Sequence, residues 1–126
     1  MGELETYAAL PIVHRRDKAG LIQAFEFTFE LFWKTFQKLA PEAGLEAPSP
    51  REALLAGVKL RLITADERDD WSQMLRDRNL TSHTYNAPVA DEILGRLLDR
   101  YLPRFRATQT RLRQAMSSAG GTPGTS

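Results

Sequence analysis

An all-α fold is what this sequence predicts. Apolar residues recur at three- and four-residue steps along almost the whole chain, no stretch sustains the period-two alternation of a half-buried strand, and two Ser/Thr-x-x-Glu boxes mark helix starts. A first helix over Glu3 to Leu10 is short and stops at Pro11, which lacks the amide that would continue the ladder. From Asp17 to Ala43 the spacing predicts a long helix, with Leu21, Ile22, Phe25, Phe29, Phe32, Trp33, Phe36 and Leu39 on its apolar face. Phe27 and Leu31 widen that face beyond one stripe, so this helix needs cover on two sides, either from its own bundle or from a second subunit.

After a loop containing Gly44 and Pro48, Ser49 is placed as N-cap, Pro50 as first helical residue and Glu52 as the box partner. Leu54, Leu55, Val58 and Leu62 give that helix a face. Thr64 and Glu67 repeat the box and open a fourth helix carrying Trp71, Met74 and Leu75. Asn86-Ala-Pro breaks the chain, and a last helix restarts near Pro88 with Ile93, Leu97, Tyr101, Phe105 and Leu112 in line and Leu94, Leu98 and Leu102 beside them. Pro103 should kink it, because the ring collides with the carbonyl four residues earlier. Residues 1–116 thus make one helical domain, with the order of 1–16 open, and 117–126, rich in Gly, Ser and Thr, make a disordered tail.

A chain of 126 residues is long enough to bury a core without crosslinks, and it contains no cysteine, so neither a disulfide framework nor a thiolate metal site exists. Seventeen basic residues against sixteen acidic ones leave a net charge of +1, so nucleic-acid binding would need a local patch. With no signal-like segment and no apolar run of bilayer length, a cytoplasmic protein without membrane contact is expected.

Residues 78–85, Arg-Asn-Leu-Thr-Ser-His-Thr-Tyr, bring a cation, an imidazole and a phenol within two helical turns. Arg78 and Tyr85 point the same way, while His83 is rotated from Arg78 by about 140°, so one copy makes a loose site and two facing copies would enclose it better. The residue types suit RNA cleavage without a metal: neutral His83 takes the proton from a ribose 2′-hydroxyl, and Arg78 stabilises charge on the phosphate oxygens. An imidazole with an ordinary pKa of about 6.5 has both protonation states within reach near neutrality. Asn79, Thr81 and Ser82 would orient it by hydrogen bonds. The plainer alternative is that His83 and Tyr85 only cap and pack a helix end.

Weaker constellations carry less. Asp66, Glu67, Asp69 and Asp70 have the composition of a divalent-metal site, but acidic residues are favoured in a first helical turn by the dipole, and no metal is assigned. His14, Arg15 and Arg16 are expected in a solvated loop, and Gly120-Gly-Thr-Pro-Gly fits no phosphate-loop spacing. No cofactor site is expected, and paired strand aspartates of the kind a nucleotidyltransferase uses for magnesium are missing.

Three segments in order, Leu21-Ile-Gln-Ala-Phe-Glu-Phe-Thr-Phe-Glu-Leu-Phe-Trp-Lys34, Ser49-Pro-Arg-Glu52 and the octapeptide 78–85, resemble the nucleotidyltransferase substrate-binding protein family, in the HepT-like branch of the HEPN superfamily. The resemblance spans about residues 17 to 105. It implies an antiparallel up-and-down bundle of four-helix type, usually a homodimer, working with an MNT-type minimal nucleotidyltransferase. Members that act as toxins in toxin-antitoxin pairs are RNases, so Arg78 and His83 would be the catalytic pair and Tyr85 the adenylylation acceptor. Other members are described as non-catalytic subunits that bind nucleotide or substrate for the transferase. Here only sixteen residues, interrupted by Pro11, precede the match at Asp17, which implies a shortened first helix and uncovered aromatic surface on the second.

Overall fold

The structure, a computed structural model, describes residues 15–83 and 87–120, with side chains over 18–81 and 88–117. Every regular element among them is helical: α1 (Arg15–Leu39), α2 (Pro50–Lys59), α3 (Arg68–His83), α4 (Ala87–Arg96) and α5 (Leu102–Gly120), with a π-turn at Leu97–Tyr101 joining the last two into one rod. The helix expected over Glu3 to Leu10 lies outside the described residues. No described helix is long and apolar enough to cross a membrane.

Each boundary has a local cause. Arg15 and Arg16 are helical rather than in a loop, and the long helix ends as an α-helix at Leu39 instead of Ala43. Pro41 lacks the N–H an α-ladder needs, so Ala40–Ala43 tighten into a 3₁₀ turn. Gly44 closes the turn at φ 72°, donating to the Pro41 carbonyl, a conformation in which a Cβ would be strained. Ser49 caps α2 by accepting from the Glu52 amide at 3.3 Å, and its hydroxyl donates to the Glu52 carboxylate at 3.0 Å. The Thr64 amide donates to the Glu67 carboxylate at 3.1 Å, although the residues after Thr64 first form a 3₁₀ turn, Ala65–Glu67, before α3 begins. Pro103 is accommodated by widening. The π-turn ahead of it lets the Leu102 N–H reach the Leu97 carbonyl, which opens the ladder where the ring must fit. The final helix continues to Gly120, past Ser117, because no proline interrupts its ladder there.

At the end of α2, Leu62 donates to the Gly57 carbonyl at 2.9 Å and Arg61 to that of Val58 at 3.0 Å, the paired bonds of a Schellman cap. The residue in the left-handed position is Arg61, at φ 63°, where glycine is the usual occupant. Because an L side chain is disfavoured there, Arg61→Gly is expected to stabilise the protein by about 0.5–1 kcal/mol, read as a higher urea midpoint. Gly57 itself must stay small: a Cβ would come within 3.0 Å of Ile63 and 3.1 Å of Phe36.

The side chains fix helix directions. Phe29, Phe32 and Phe36 of α1 pack on Trp71 in the first turn of α3, whereas Glu26 meets Arg78 and Thr81 near its end, so α1 and α3 are antiparallel. Asp77 pairs with Arg96, Asp70 with Arg104 and Glu67 with Arg111, so the α4–α5 rod is antiparallel to α3. At the centre the Phe32 and Phe105 rings stack at 5.2 Å, and Trp71 meets both edge-on at 5.5 and 5.7 Å. Such pairs add about 0.5–1.5 kcal/mol each beyond area burial. The bundle covers the α1 face except at Phe27 and Leu31, which stay 53% and 66% exposed.

Two buried acids, not foreseen from the sequence, hold the α3 seam. Asp77, fully buried, accepts from Arg96 at 2.9 and 2.8 Å, from the Tyr101 hydroxyl at 2.5 Å and from Gln73 at 3.0 Å. Burial, then the hydrogen bond to Asp77, raises the Tyr101 phenol well above its ordinary range. Glu67, also buried, accepts from Arg111 at 2.6 and 3.1 Å, and Arg104 lies 3.7 Å away. Arg111 and the Thr108 hydroxyl both donate to the Leu62 carbonyl at 3.1 Å, tying the α2–α3 connection to α5.

Burial pushes the Glu67 carboxyl up, but bonds from the Arg111 guanidinium and the Thr64 amide outweigh it and hold the group below the usual range. A carboxyl depressed by folding stabilises the protein above its unfolded pKa of about 4.3 and loses that contribution as pH falls through the folded value. Acid titration of unfolding free energy should therefore fall below about pH 4.3, with a shallower fall in Glu67→Gln.

Candidate functional site

Residues 78–83 of the octapeptide lie in α3, and Thr84 and Tyr85 lie outside the described residues. The Arg78 guanidinium lies 3.6 Å from the Glu26 carboxylate of α1, with about a third of the Arg78 side chain exposed. The Thr81 hydroxyl meets the same Glu26 oxygen at 2.5 Å and the Arg78 carbonyl at 2.9 Å. Antiparallel packing of α1 against α3 thus places one carboxylate between two residues of the motif, three apart on one side of the helix. The pairing restrains a long, rotamer-rich side chain at the heart of the motif.

The predicted residues divide. Arg78 and Thr81 are brought together, with Glu26 as a member that sequence reasoning missed. Asn79, one residue on, is turned away and lines a groove between α2 and α3. The side chains of Ser82 and His83, and Tyr85 entirely, lie outside the described residues. Glu26 carried one signal: it is an acid set between Phe25 and Phe27 in the most aromatic stretch of the chain. Nothing local linked it to residues 52 and 55 positions downstream.

Two acids of the run at 66–70 are engaged internally: Glu67 by Arg111 and Arg104, and Asp70 by Arg104 at 2.8 Å and Arg100 at 3.9 Å. Among the described residues no group of three or more His, Cys, Asp or Glu is placed to hold a metal ion.

Comparison with known proteins bears on most of the chain. The family model for "Nucleotidyltransferase substrate binding protein like" matches residues 4–114. A crystal structure of a protein from Thermus thermophilus is similar, with 35% identity and a TM-score of 0.78 over 89% of this chain and 94% of that one. No curated protein matches.

Proposed function

Because the chain belongs to the nucleotidyltransferase substrate-binding protein family, we propose that it is the HEPN-type subunit of a two-component, toxin-antitoxin-like system with an MNT-type minimal nucleotidyltransferase. In this reading Arg78 and His83 cut RNA without a metal, and the partner silences the activity by adenylylating Tyr85. The carrying observation is the Arg78–Glu26–Thr81 cluster, which restrains a motif arginine whose side chain is about a third exposed, seven residues before the tyrosine in sequence. His83 removes the 2′-hydroxyl proton, the 2′ oxygen attacks the adjacent phosphorus, and the 5′ oxygen departs with a proton from the imidazolium, leaving a 2′,3′-cyclic phosphate. Arg78 carries the charge that builds on the non-bridging oxygens. Adenylylation would join the Tyr85 phenolic oxygen to the α-phosphorus of a nucleoside triphosphate with release of pyrophosphate, adding bulk and negative charge beside the guanidinium.

Phe27 and Leu31, exposed on the helix that supplies Glu26, fit cover by a second copy, and a homodimer formed there would bring two motifs near each other. The family's own description favours a second reading, a subunit that binds nucleotide or substrate for the transferase and cleaves nothing.

The test is cleavage of labelled total RNA and tRNA, in the presence of a chelator, by protein purified without its transferase. Cutting by wild type and not by His83→Ala supports the nuclease. Intact RNA with folded, unmodified wild type overturns it and leaves the binding subunit.

A further inference from the structure

A groove of about 580 Å³ runs between α2 and α3 on a face separate from the Arg78–Glu26 contact. Along α3 its lining residues fall at positions 68, 71, 72, 75, 76 and 79, one stripe of about 16 Å, close to the length of a three-turn helix. The floor is aliphatic: Leu54 and Val58 of α2, Ile63 of the connection and Leu75 of α3, with Leu55 left 46% exposed. Arg51, Arg68 and Arg76 also line it, all three exposed, and no carboxylate joins them in the lining. On a chain whose charges otherwise nearly cancel, that is a local concentration of positive charge over an apolar strip. Trp71 also lines the groove, and its indole N–H is a buried donor with no partner among the described residues.

We infer that this groove docks an amphipathic helix of the partner nucleotidyltransferase, with leucine-type side chains on the floor and flanking Asp or Glu on the three arginines. A helix-in-groove contact uses such an aliphatic strip, and arginine is the cation that best matches carboxylates. A nucleic-acid strand fits less well, because its bases seek exposed aromatic faces and the one aromatic here, Trp71, is 1% exposed. Asn79 adjoins Arg78 in sequence, so a transferase seated in the groove is held beside the end of α3 that leads to Tyr85. The inference rests on the two-component reading above and names the surface on which the components meet.

The experiment measures the affinity of full-length protein for the purified transferase, and separately for single-stranded poly(U) RNA, with wild type, Arg51→Glu/Arg68→Glu and Leu55→Asp. These positions are exposed, and thermal unfolding checks that each variant is folded. The expected result is transferase binding by wild type, weakened at least about tenfold in both variants and weakened further by salt. Transferase affinity unchanged within about twofold in folded variants overturns the groove and leaves the two-component reading standing. A wild type that does not bind the transferase overturns that reading and the docking with it. If the charge reversals abolish RNA binding and leave transferase binding intact, the groove belongs to nucleic acid and the peptide assignment is wrong.

Discussion

Asp77→Ala is expected to lower the unfolding free energy by about 3 kcal/mol, with the urea midpoint falling accordingly. The carboxylate is fully buried and accepts from Arg96, Tyr101 and Gln73 at once, so its removal leaves a guanidinium and a phenol without their acceptor. Breaking a buried ion pair costs about 3–5 kcal/mol, and the lower end applies because Arg96 retains 26% side-chain exposure and can recover some water. Against a typical total of about 5–15 kcal/mol, that is a large share. Replacing the set together, with Asp77→Leu, Arg96→Met and Tyr101→Phe, should regain much of the loss, because the guanidinium and the phenol left without an acceptor are removed as well. If Asp77→Ala shifts the midpoint by less than the equivalent of about 1 kcal/mol, the network does not hold the seam.

For the proposed nuclease, His83→Ala should reduce the cleavage rate by about 10²- to 10⁴-fold, the range for losing a positioned general base. Arg78→Ala should fall comparably through lost charge stabilisation. Loss of Arg78 also breaks the contact with Glu26, so its effect on unfolding is measured alongside its effect on cleavage. Glu26→Gln provides an independent check. It keeps a hydrogen-bond acceptor for Thr81 and removes the charge that holds Arg78, so it should change cleavage through substrate affinity more than through the chemical step. A substrate in which deoxyribose replaces the cleaved nucleotide's ribose must remain intact if the 2′-hydroxyl is the nucleophile.

What the chain determined by itself is what depends on neighbours in sequence. Helical periodicity fixed the fold class, Ser49 and Thr64 marked their helix starts, and Phe25, Phe29, Phe32, Phe36, Ile93, Leu97 and Phe105 are buried as their spacing predicts. The same local logic overreached where two signals competed: Pro41 cut the α-helix short of Ala43. The tertiary structure alone decided which polar residues meet. No local signal singles out Asp77, and only antiparallel packing of α3 on the α4–α5 rod closes Arg96 and Tyr101 over it. Glu26 likewise reaches Arg78 and Thr81 across the bundle, and the arginine groove exists only because α2 and α3 lie side by side. Periodicity and capping are set within a few residues of chain, whereas ion pairs and grooves depend on helix directions and registers set by packing of the whole core.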